Sequence, residues 1–165
     1  MKPRALLIFL FSLVVIVAGL PACQPLQELD KAPAISLQLI DGRKISLQQL
    51  QGRPVLITFW ATTCASCRKE MPHLIALYNE LAPKGLEIIG VAMSYDPPNQ
   101  VVALSKRLQI PYPLALDVEG NIALAFGDVD LTPTSFLIGP DGSIVQHDVG
   151  IMDMNGLRKR IEGLL

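Results

Sequence analysis

Cys64 and Cys67 stand three positions apart, and the residue types around them suit thiol chemistry. The run Val55-Leu56-Ile57-Thr58-Phe59-Trp60 leads into them, apolar and β-branched with only Thr58 polar. Such a run predicts a central strand covered on both faces. After the pair, Met71, Leu74, Ile75, Tyr78 and Leu81 recur at helical spacing. A strand therefore delivers a dithiol to the first turn of a helix. That end of a helix carries unpaired N–H groups and a partial positive charge, which stabilise a thiolate and make it a usable nucleophile at neutral pH. Cys64, at the helix edge, is the expected attacking thiol. Its thiolate would open a partner's disulfide to form a mixed disulfide. Cys67, one turn on, would then attack Cys64 and release the reduced partner. Two other uses of the pair stay open: a structural disulfide, or half of a zinc site, although no second CxxC is present to complete a tetrahedral set.

Around the pair, Arg68 and Lys69 read as surface charges. Glu70 lies three residues past Cys67 on the same helix face, and by itself could be a solvated helix residue. His73 and His147 read as surface or partly buried histidines. A sharper alternative groups Cys64, Cys67 and His147 as a copper site, since two soft thiolates and an imidazole suit that metal.

The chain that positions these residues is 165 long with a net charge of -1, which gives no electrostatic ground for nucleic-acid binding. Lys2 and Arg4 precede an uncharged run from Ala5 to Leu20, closed by Pro21-Ala22-Cys23. Residues 1–23 read as a signal peptide ending in a lipobox, with Cys23 lipidated, or as an uncleaved membrane anchor. Removing Cys23 from the count leaves Cys64 and Cys67 with only each other. Residues 24–34, with Pro25 and Pro33, read as a tether, and residues 35–165 as the folded domain.

In that domain Ile35, Leu37 and Leu39 alternate with polar residues, Asp41-Gly42 signals a turn, and the alternation resumes at Lys44. A small antiparallel hairpin is expected. A short helical turn over Leu47 to Gln51 ends at Gly52. Pro72 lies inside the helix after Cys64 and should kink it. Leu86 to Met93 predicts a second buried strand. A helical face follows from Pro97, then a short strand at Leu114 to Leu116 and a short helix at Ile122 to Phe126. Thr134 to Ile138 and Ser143 to Val149 form a late hairpin about Asp141-Gly142, and Asp153 to Leu165 a closing helix. The class is α/β: one mixed sheet between two helical layers.

From about Ala32 to Leu165 the chain resembles the TlpA/ResA type of thioredoxin-like proteins, within the redoxin and AhpC-TSA-like superfamily. The matching residues are Phe59-Trp60-Ala61-Thr62, Cys64, Cys67-Arg68, Glu70-Met71-Pro72, the upstream Gly52-Arg53-Pro54, and Thr132-Pro133-Thr134 with Asp141-Gly142. The resemblance implies a three-layer thioredoxin fold with an N-terminal hairpin and a helix–strand insertion over Asp96 to Val129. It implies an extracytoplasmic, membrane-tethered thiol:disulfide oxidoreductase of the bacterial envelope. Such a protein would reduce protein disulfides, in one use preparing apocytochrome c thiols for haem attachment. It acts as a monomer, draws electrons from a membrane-embedded donor, and uses no cofactor beyond the Cys64–Cys67 couple. Glu70 would shuttle protons or raise a thiol pKa. Pro133 would be cis, setting Thr132 beside Cys64 to pair with a partner's chain. Trp60 would pack under the site and, with Thr132, form its substrate side. The sequence departs from relatives at Ala65-Ser66, Thr63 and Thr58. Thioredoxin-fold copper chaperones space their cysteines more widely. A peroxiredoxin-type peroxidase needs threonine and proline where this chain has Ala61 and Ile57.

Overall fold

A computed structural model describes residues 30–165. The leader, Cys23 and most of the tether lie outside the described residues. The early alternation folds into a hairpin of β1 (Ser36–Gln38) and β2 (Lys44–Ser46), turned by Gly42 at a φ of +88°, which favours glycine. One 3-10 turn, Leu47–Leu50, leads to β3 (Val55–Trp60). Then come α1 (Ala65–Leu81), β4 (Glu87–Ala92), α2 (Pro98–Leu108), β5 (Leu114–Leu116), α3 (Asn121–Ala125), β6 (Thr134–Ile138), β7 (Ile144–Val149) and α4 (Met154–Glu162).

The hairpin forms its own sheet. The main sheet has the order β5-β4-β3-β6-β7, so the strand leading to the cysteines is central. β3 pairs in parallel with β4 and antiparallel with β6, and every residue of β3 is buried. The sheet is mixed, as the element order implies, but its two faces are unequally covered. Residues of α1, α2 and α4 pack with Leu56 and Trp60 on one face. The hairpin, the 3-10 turn, Ala123 of α3 and Phe126 pack with Ile57 and Phe59 on the other. The cause is the direction of winding. β3 to β4 and β4 to β5 step the same way across the sheet, so two right-handed crossovers put α1 and α2 on one face.

α1 continues through Pro72 without a break. Its buried stripe is Cys67, Glu70, Met71, Leu74, Leu77 and Leu81. The last residues of the stretch read as a tether are docked. Ile144 N–H donates to the Asp30 carbonyl and Ala32 N–H to the Gly142 carbonyl, both at 2.9 Å. At the opposite edge Ile40 N–H donates to the Leu114 carbonyl at 2.9 Å. The N-terminal segment thereby covers part of each edge of the sheet, where open backbone groups invite foreign strands.

Candidate active site

β3 ends at Trp60, and a loop of three residues carries the chain to Cys64, the N-cap of α1. Cys64 and Cys67 are joined as a disulfide with their Cα atoms 5.3 Å apart. The Cys67 N–H donates to Cys64 Sγ at 3.1 Å, one of the helix-end donors that would meet a thiolate there. Ser66 Oγ lies 3.3 Å from the same sulfur. Cys64 is half-buried, whereas Cys67 is 2% exposed. An incoming disulfide reaches Cys64 first, and Cys67 is placed to resolve it.

The loop before Cys64 is held by a residue that sequence reasoning did not single out. Buried Asp96 accepts the Thr62 N–H at 2.6 Å and the Thr62 hydroxyl at 2.5 Å. The Arg68 guanidinium donates to the Thr62 carbonyl at 2.5 Å. Both backbone polar groups and the side chain of Thr62 are thus engaged. In the sequence Asp96 reads only as an acid near a helix start; the fold carries it 34 positions back to Thr62. Asp96→Ala removes the acceptor of two part-buried donors, of which the hydroxyl can still reach Gln100 Oε1 at 3.4 Å, and is expected to cost about 1–2 kcal/mol of stability in urea unfolding. Thr62→Ser, which keeps both donors, should lie close to the parent protein.

Glu70 is buried, at 3% exposure, not solvated. One of its carboxylate oxygens accepts the Met152 N–H at 2.9 Å, across 82 positions. Burial pushes its carboxyl above the ordinary range. The Met152 N–H opposes this, the nearby Asp148 adds to it, and His73 opposes it weakly. Glu70 is i, i+3 from Cys67 and shares its buried helix face.

Trp60 packs under the site, the first of the two roles expected of it. It is 2% exposed and packs in the core cluster that includes Cys67 and Met71. A Cβ on Gly90 would come within 3.0 Å of the Trp60 indole nitrogen and 2.6 Å of Leu114 Cδ2, which explains a glycine in mid-strand. Thr58 is also buried, and accepts the Ser135 hydroxyl at 3.0 Å instead of offering an acid.

The Thr132–Pro133 bond is cis, at the start of β6. Thr134 pairs with Phe59, so this loop lies at the end of the sheet where β3 delivers Cys64. Thr132 is half-buried and Pro133 buried. His73 is exposed on α1. The His147 ring stacks on Phe136 at 4.2 Å between centroids. Phe136 belongs to the core layer across the sheet from Cys67. The grouping of Cys64, Cys67 and His147 is therefore not assembled.

This geometry can pass two electrons between its own sulfur pair and another, and the strand order around it is that of thioredoxin. The class so defined is the thioredoxin-fold thiol:disulfide oxidoreductase, an enzyme. The chain belongs to the AhpC/TSA family, whose profile matches residues 29–147. It is 37% identical over 121 residues to the thiol-disulfide oxidoreductase ResA of Bacillus thuringiensis, covering 73% of this chain and 68% of that one. ResA of Bacillus subtilis is 32% identical over 129 residues, covering 78% and 71%. Among solved structures, a thiol:disulfide interchange protein of the thioredoxin family from Chlorobium tepidum superposes with a TM-score of 0.75. It is 25% identical, and the match covers 83% of this chain and 97% of that one. Ala61 and Ile57, at the positions where a peroxidase would need threonine and proline, are both buried.

Proposed function

We propose that the protein is an electron donor to protein disulfides outside the cytoplasm. Cleavage before Cys23 and lipid on that cysteine, its new N-terminus, tether it to the membrane. A membrane-embedded dithiol protein re-reduces it, and it acts as a monomer with no bound cofactor. A disulfide in apocytochrome c, reduced to the thiols that take haem, is one substrate of this kind. The placement of Glu70 carries the direction. A buried carboxylate on the helix face of Cys67 opposes a thiolate there whenever it is ionised. That destabilises the reduced pair and favours the disulfide, so the dithiol gives up electrons readily. Strong oxidants have the reverse arrangement, a stabilised reduced form. The shuttle of Glu70 is its second use: a carboxyl with a raised pKa can take the proton from Cys67 as that sulfur attacks. Redox titration against glutathione or dithiothreitol checks the direction. A potential near about −270 mV is expected, and one near about −120 mV would reverse the proposal.

A further inference from the structure

Beside Cys64 runs an open groove of about 400 Å³ that the exchange chemistry does not use. Thr62, Thr63 and Arg68 form one wall. Gln100, Ala103 and Arg107, spaced along one face of α2, form the other. Thr63 is exposed and adjoins the attacking cysteine, so a chain whose sulfur reaches Cys64 lays neighbouring residues over this groove.

The groove is charged in one sense. Arg68 and Arg107 both line it and are both exposed. Among the described residues neither forms an ion pair with a carboxylate. Arg68 spends one N–H on the Thr62 carbonyl, leaving the rest of its planar fork to donate elsewhere. Asp96, the carboxylate behind Thr62, is buried and occupied by Thr62, so it does not present an anion to the groove. Two guanidiniums facing one cleft match a carboxylate in both charge and shape.

We infer that this groove is a specificity subsite, which takes an acidic side chain of the partner polypeptide near the cysteine that Cys64 attacks. The inference rests on the proposed role as a donor of electrons to protein disulfides, and it narrows the substrates to segments with Asp or Glu beside the disulfide. Arg107 acts there by charge alone and lies outside the exchange chemistry.

Three peptide disulfides test it, identical except for Asp, Ser or Lys on both sides of one cysteine. The rate constant for their reduction by the reduced protein is measured at low and at high salt. At low salt the Asp peptide should react about three- to tenfold faster than the Lys peptide, and the gap should narrow in high salt. Arg107→Glu should reverse the order of the two, each rate being referred to the Ser peptide in the same variant, and Arg107→Gln should shrink the spread. Equal rates for the three peptides, or an order unmoved by Arg107→Glu, would overturn the subsite while leaving the electron donor intact. Failure to reduce any peptide, the Ser peptide included, would overturn the donor reading and the subsite with it.

Discussion

Cys64→Ser should abolish disulfide reduction, by at least about a thousandfold, whereas Cys67→Ser should stop the reaction halfway. The two sulfurs share one bond, yet their surroundings give them different work. Cys64 caps the helix and is partly open to solvent, while Cys67 is 2% exposed and packed with Met71 and Leu74 in the core. A serine at 64 removes the sulfur that can meet a partner, and the buried Cys67 cannot substitute for it. A serine at 67 leaves attack intact: the Cys64 thiolate opens the partner's disulfide, one partner sulfur leaves as a thiolate, and the other stays bonded to Cys64. No second sulfur then displaces it. An adduct of one partner to one protein should accumulate, sensitive to dithiothreitol and visible by intact mass. The opposite pattern, adducts on Cys64→Ser through Cys67, would exchange the two roles.

Much of this site can be read from local pattern. The apolar run at 55–60 could be little but a buried strand, and the apolar spacing after Cys67 could be little but a helix. Spacing alone placed the two cysteines one turn apart. The cis Thr132–Pro133 bond was legible through family resemblance, since nothing in the periodicity of that stretch demands it. Contacts between distant residues were not legible. Asp96 reaches Thr62 across 34 positions and Glu70 reaches Met152 across 82, and no local rule brings either pair together. Glu70 did leave a signal, since positions 67, 70, 71, 74, 77 and 81 form one helical stripe. An acid in the middle of that stripe had to be buried. The place of Trp60 under the site was legible from the strand pattern. Strand alternation puts it with Leu56 on the helix-covered face. The unequal layers follow from strand order, which a list of elements does not contain.

Glu70→Gln should stabilise the oxidised protein at neutral pH and leave it nearly unchanged near pH 4. The carboxyl is held above its ordinary value of 4.5 chiefly because it is buried. Below that value the acid is protonated in both folded and unfolded chains, and the native state bears no penalty. As the pH rises through the raised folded value, the unfolded chain releases its proton more readily than the native one. Stability is therefore lost across that window and stays lost at neutral pH. Glutamine has the same shape, does not ionise, and offers an oxygen to the Met152 N–H, so it escapes the loss. The gain should appear as a higher Tm at pH 7.5 and no gain at pH 4, read by circular dichroism at both pH values. The thiols should respond in the same variant. Without a carboxylate on its helix face the Cys67 thiolate is less opposed, so thiol titration moves to lower pH. The potential rises, with each 30 mV corresponding to about 1.4 kcal/mol. A stability gain equal at pH 4 and pH 7.5 would point to packing as the cause. An unmoved potential would remove Glu70 from the control of the dithiol, and with it the ground for reading this protein as a donor of electrons.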